Sequence, residues 1–211
     1  MMIFKERWHL LIFIPSILLI LAIGLAKVLF QVPIYKLIGD VFSIADIHPL
    51  SGLLSNIGVL LWCAAATICF FVAGVLRQTK NYRVIPFLLA SACLSMYLLI
   101  DDFFLLHEEL VPTYIGILQN TVLMLIMIAV VVYLFWFRRI ILRTQYGFML
   151  IAIGFLGISV GVDTVLKPWL LFLGEWKSLL EDGAKLIGIT SWLSYYTDVA
   201  YQFLLDKSRI I

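Results

Sequence analysis

Six apolar stretches, each close to the length a helix needs to cross a bilayer, constrain this chain more than any other feature. They run over Leu10–Phe30, Leu53–Leu76, Val84–Leu106, Thr113–Phe137, Tyr146–Leu166 and Leu179–Leu205. Crossing the hydrocarbon layer takes about 20 mostly apolar residues as helix, because no water is present there to satisfy a bare backbone. Of the 211 residues, 64% are hydrophobic and only 13% charged, with a mean hydropathy of +1.09. A soluble domain keeps roughly a quarter of its residues charged to solvate its surface, so lipid must solvate much of this one. The expected fold is all-α, a polytopic transmembrane bundle of about six helices forming a single integral membrane domain over residues 1–211.

Basic residues beside the spans set the expected orientation. Lys5 and Arg7 precede the first span; Arg77, Lys80 and Arg83 fill the second connection; Arg138, Arg139 and Arg143 fill the fourth; Lys207 and Arg209 follow the sixth. The other connections hold only Lys36, Lys167 and Lys177 among more acidic neighbours. This alternation fits six spans with the N and C termini cytoplasmic, in a plasma (inner) membrane. The first span resembles a secretory signal in its basic start, but it is longer than a usual signal core and five spans follow, so it reads as an uncleaved anchor. The connection Gln31–Gly52, with its acidic residues, His48 and prolines, is expected to hold a short interfacial helix. Trp169 and Trp176 suit the headgroup level. A net charge of +2 gives no reason to expect nucleic acid. Cys63, Cys69 and Cys93 lie inside apolar runs and read as packing residues, not as ligands or disulfide partners.

Ionisable side chains near hydrocarbon cost a few kcal/mol each on insertion scales, so each needs a reason. Here they gather. The third span ends in Asp101-Asp102-Phe-Phe-Leu-Leu-His107-Glu108-Glu109, Asp163 lies at the outer end of the fifth, and the sixth begins with Glu181-Asp182-Gly183-Ala184-Lys185. In the orientation above, all fall in the outer leaflet or at its rim. On a continuous helix Asp101 and Glu108 project from nearly the same side, two turns apart. On the sixth helix Glu181, Lys185, Gly188, Trp192 and Tyr195 form a stripe, and Gly188 lets another helix or a ligand come close. Ser91 and Ser95 extend a polar lining below Asp102. In the fifth span Gly154, Gly157 and Gly161 are expected to carry close helix packing.

Three readings fit this cluster. Carboxylates with a histidine suit zinc, manganese or iron, and such a metal activates water for hydrolysis of a lipid-like substrate. Desolvated carboxylates balanced by Lys185 suit proton or cation handling. A structural role has Lys185 pair with Asp101, Asp163 or Glu181 and fix helix register.

The pattern Asp101-Asp102-x4-His107-Glu108, followed by Glu181-Asp182-Gly183-x-Lys185-x-x-Gly188, resembles a loose group of bacterial multi-pass membrane proteins. That group has a D-[DE]-x4-H-E segment in a middle helix and an acidic pair with a later glycine in the last one. The resemblance covers about 20 residues and implies a polytopic topology and a shared acidic site, without naming a reaction. The layout is also similar to that of membrane hydrolases related to alkaline ceramidases, whose paired late histidines have no counterpart after His107.

The leading expectation is a membrane protein with an outer-leaflet acidic and histidine cluster, a metal-dependent enzyme acting on a lipid-like substrate. Asp101, Asp102, Glu108 and Lys185 are its candidate catalytic residues, and His107, Asp163, Glu181 and Asp182 its candidate metal ligands. The alternative is a small transporter, a proton-handling protein, or a non-catalytic subunit of a larger membrane complex. The expected partners are the bilayer itself, a lipid-like substrate or other membrane subunits.

Overall fold

A computed structural model describes residues 7–78 and 83–205, and every regular element among them is helical. The chain divides into two compact units, Met1–Ser51 and Gly52–Ile211. Lys5, Lys80, Lys207 and Arg209, which carry part of the expected charge asymmetry, lie outside the described residues.

In the first unit, α1 (Arg7–Phe30) is followed by two short helices, α2 (Ile34–Ile38) and α3 (Val41–Ala45). They occupy the connection where one interfacial helix was expected. Asp40 starts α3 by accepting the backbone N–H of Ser43 at 3.1 Å, an ordinary N-cap. Left-handed Gln31 separates α1 from α2, and left-handed Asp46 ends α3.

The second unit holds the bundle: α4 (Leu53–Gln78), α5 (Ile85–Phe104), α6 (Val111–Ile115), α7 (Gln119–Ile141), α8 (Gly147–Thr164) and α9 (Glu175–Leu205). Four of these, α4, α5, α7 and α8, are long and apolar enough to cross a membrane. With 31 residues α9 is long enough too, but its first turns carry Glu175, Lys177, Glu181, Asp182 and Lys185. The described apolar part of α1 is the shorter stretch Ser16–Phe30.

The bundle is organised around α9, against which α4 and α8 pack; α5 packs on α4 and reaches α9 through Phe87, Ser95 and Asp102. Trp192, Tyr195, Tyr196 and Val199 of α9 are fully enclosed. On α4 the buried positions Trp62, Ala65, Cys69, Val72 and Leu76 recur every three or four residues, a single stripe turned inward. The opposite faces are apolar and exposed, as lipid-facing surfaces are. Cys69 sits in the core as expected; Cys63 and Cys93 are exposed.

Close packing falls elsewhere than the glycines of α8. A Cβ on Gly154, Gly157 or Gly161 would meet nothing within 4 Å. The tight approach is at Gly188 of α9, where a Cβ would lie 2.8 Å from Leu156 Cγ and 3.0 Å from the Leu156 backbone nitrogen. The α8–α9 pair is real, but its contact runs through Leu156 and not through the glycine face.

Among the described residues, every buried side-chain polar atom of the bundle has a partner. The Ser91 hydroxyl bonds Tyr133 Oη at 2.7 Å, which bonds Tyr196 Oη at 2.7 Å, joining α5, α7 and α9. Trp192 Nε1 donates to Ser95 Oγ at 2.9 Å, and Tyr195 Oη meets Thr144 Oγ1 at 2.9 Å. Buried tyrosine and tryptophan keep such partners because a bare donor in an apolar interior is costly.

Candidate functional site: an amphipathic cavity

The third expected span does not run straight through to His107. After Phe104 the helix α5 stops at Leu105, which adopts φ 51°, ψ 46°, the left-handed region that a leucine seldom enters. Residues Leu106–Leu110 then form a π-helical turn, with the Leu110 N–H reaching back five residues to the Leu105 carbonyl at 3.1 Å. Pro112 opens α6, and left-handed Gly116 ends it before α7. Strained backbone and π turns persist where surrounding contacts hold them, and both concentrate at functional sites.

What holds this break is Asp101. Its Oδ1 accepts the His107 backbone N–H at 3.1 Å, and its Oδ2 lies 2.6 Å from His107 Nδ1. Asp101 is 3% exposed and His107 8%. The expected alignment of Asp101 with Glu108 on one helix face is therefore corrected: the chain folds back at Leu105, and Asp101 meets His107. On the other side of the ring, Nε2 lies 3.5 Å from Glu108 Oε1. Burial pulls the His107 imidazolium pKa down. The Asp101 bond and the charges of Asp101 and Glu108 outweigh it, and the net direction is up.

Asp102 faces a different partner. Lys185 Nζ lies 2.7 Å from its Oδ1, and Trp62 Nε1 donates to its Oδ2 at 2.9 Å. So Lys185 does pair with a carboxylate, but with Asp102, not with Asp101, Asp163 or Glu181. The Trp62 ring packs edge-to-face on Trp192 at 5.6 Å, which ties the ion pair to the bundle core. Asp163 lies 3.5 Å from Lys167 Nζ and 3.5 Å from Gln119 Nε2, linking α8 to the start of α7. Glu181 is held by Lys177 at 2.8 Å, one helical turn earlier.

All eight residues singled out in the sequence line one cavity of about 290 Å³: Asp101, Asp102, His107, Glu108, Asp163, Glu181, Asp182 and Lys185. Its remaining wall is mostly apolar, from Leu123, Ile126, Met127, Val130 and Leu134 of α7 and Ile153, Leu156, Gly157 and Val160 of α8. The chamber is thus charged at one end and hydrocarbon-like along the other. Among the described residues, no three His, Cys, Asp or Glu side chains converge as ligands for a metal ion. The four expected donors come from three elements, and His107, Asp163 and Glu181 are each engaged by another side chain. The donors do not assemble a zinc, manganese or iron centre.

A family model for a domain of unknown function (DUF8692) matches residues 11–199. The chain belongs to that family. No curated protein and no solved structure matches it. Within this DUF8692 chain the match covers every cavity residue.

Sequence reading overlooked Trp62, the third partner in the Asp102 pair. Its depth was the available signal: the tenth residue of α4 lies about 15 Å along the helix at 1.5 Å per residue, too deep for a headgroup belt. An indole N–H at that depth needs an acceptor. The left-handed Leu105 carries no comparable signal, since leucine is a good helix former.

Proposed function

We propose that this protein is a six-span membrane protein, both termini cytoplasmic, whose outer-leaflet cavity takes a lipid-like molecule and performs acid–base chemistry on it through His107. One observation carries this: the cavity joins an apolar wall to a polar end in which a histidine is oriented by a buried carboxylate. An aspartate on Nδ1 fixes the ring and leaves Nε2 on the Glu108 side, the arrangement by which carboxylates set up a histidine as general base and then stabilise its cation. Glu108 beside Nε2 is positioned to share the proton. Asp102 and Lys185 form a neutral pair that holds α9 against α5. α1 and α9 supply the two spans beyond the four apolar helices, and the basic connections support cytoplasmic termini in a plasma membrane.

The transporter alternative has less support. A hydroxyl cluster of Ser91, Tyr133 and Tyr196 does lie in the core. Between it and the carboxylates, however, stand the indoles Trp62 and Trp192, which only donate and do not relay protons.

The test is conversion of a membrane lipid extract by protein in nanodiscs, followed by mass spectrometry, with His107→Gln alongside. Loss of one lipid class, product formation, and absence of both in the variant are expected. Equal profiles in the two samples would overturn the enzymatic reading. Cysteine labelling of the termini in intact cells tests the orientation.

A further inference from the structure

The cavity also specifies the chemistry of what fills it. Resting on the reading of this chamber as a lipid-like binding site, we propose that its ligand is a single-chain amphiphile with a positively charged polar end, an alkylamine or alkylammonium.

Acidity alone would say nothing about a ligand; here it is joined to a half-open cavity with a largely apolar wall. A volume of about 290 Å³ is at the small end of ligand cavities, and equals that of on the order of ten water molecules. It has room for a small polar group and part of one chain. Along the chain path, Gly157 lines the wall, and a Cβ there would meet nothing within 4 Å. The missing side chain leaves space that the fold itself does not fill.

At the polar end, six carboxylates face one lysine and one histidine. The net formal charge is minus five with His107 neutral and minus four with it protonated. The cations are already committed: Lys185 to Asp102 at 2.7 Å and His107 to Asp101 at 2.6 Å. From outside the lining, Lys167 and Lys177 engage Asp163 and Glu181. Glu108 has the histidine edge at 3.5 Å as its one ion-pair contact among the described residues and Asp182 has none, though both lie close enough to Lys185 to act on its charge. A phosphate or carboxylate headgroup would meet like charge and an occupied lysine. A cationic headgroup meets two available carboxylates, at the edge of a low-dielectric layer where charge pairing counts for more than in water.

The experiment compares three amphiphiles of one chain length, dodecyltrimethylammonium, laurate and dodecanol, titrated into full-length protein in neutral-lipid nanodiscs against empty discs. Saturable binding of the ammonium is expected, about tenfold or more tighter than laurate, and lost in Gly157→Leu. Gly154→Leu, whose Cβ also meets open space but which does not line the cavity, controls for folding on the same helix. The double variant Glu108→Gln, Asp182→Asn should bring the ammonium affinity down to that of dodecanol. If laurate or dodecanol binds as tightly as the ammonium and Gly157→Leu blocks it, the cavity reading stands and the charge inference is wrong. If none of the three saturates above empty discs, both fall.

Discussion

Asp101 grips His107 at two points, its Oδ1 on the backbone N–H at 3.1 Å and its Oδ2 on Nδ1 at 2.6 Å, across a left-handed leucine. One carboxylate therefore both closes the chain break and orients the ring. Asp101→Asn keeps an acceptor for the backbone but loses the charge facing the imidazole. We expect it to lower stability by about 1–3 kcal/mol, the range for a disturbed buried hydrogen bond to a charged group. Asp101→Ala should cost more, because it also strands the His107 N–H. Denaturation of both variants in a mild detergent checks the order.

The same pair makes stability depend on pH with a definite sign. The folded-state pKa of His107 is raised above its ordinary 6.5, so the folded state holds the proton more tightly than the unfolded chain. The resulting stabilisation is present in full below about pH 6.5 and is lost as pH rises through the raised folded value. The melting-temperature difference between the parent and His107→Gln, measured across this range, should shrink on going alkaline. A difference that grew with pH would contradict the Asp101–His107 ion pair.

Much of this site was legible because charge is expensive in lipid: nine ionisable residues at span ends stood out, and all but Glu109 line one cavity. The stripe on α9 was legible for the same reason that any helix face is, its period. Glu181, Lys185 and Trp192 reach the chamber, Gly188 meets Leu156, and Tyr195 bonds Thr144. The break at Leu105 was not legible, since its cause is a tertiary bond from Asp101 and its residue favours helix. Nor were the glycines of α8. Small residues show where helices are able to approach, not where they do, and Gly154 and Gly161 face open space.

The Lys185–Asp102 pair predicts an asymmetry between single and double variants. Lys185→Met leaves Asp102, whose side chain is 10% exposed, with only the Trp62 indole. A loss of about 2–4 kcal/mol is expected, somewhat under the full value for breaking a buried pair because the lysine is partly exposed. Adding Asp102→Asn should restore part of that loss, as it removes the uncompensated charge. A double-mutant cycle by denaturant unfolding measures the coupling.

Trp62→Phe should act on the same carboxylate from the other side. The ring is 2% exposed and packs on Trp192, so phenylalanine keeps much of the packing but removes the N–H that reaches Asp102 at 2.9 Å. A loss of about 1–3 kcal/mol is expected. The loss should be smaller in an Asp102→Asn background, where the acceptor is no longer charged. Equal losses in the two backgrounds would mean that Trp62 contributes by packing alone.

Two glycine substitutions separate helix packing from helix propensity. Alanine at Gly154 adds a methyl that meets nothing within 4 Å and should be neutral or stabilise by about 0.5–1 kcal/mol, as Gly→Ala does in a helix interior. Alanine at Gly188 places its methyl 2.8 Å from Leu156 Cγ and 3.0 Å from the Leu156 backbone nitrogen. The leucine side chain has some freedom to turn away, but the backbone nitrogen does not, so α8 must shift from α9. An overpacking cost of about 1–3 kcal/mol is expected. Because Leu156 and Gly157 both line the cavity, the same shift should also weaken binding of an amphiphile there. Melting temperatures and binding measured on the two variants together decide this: a Gly188→Ala protein as stable as Gly154→Ala would mean that α8 and α9 do not meet at Leu156.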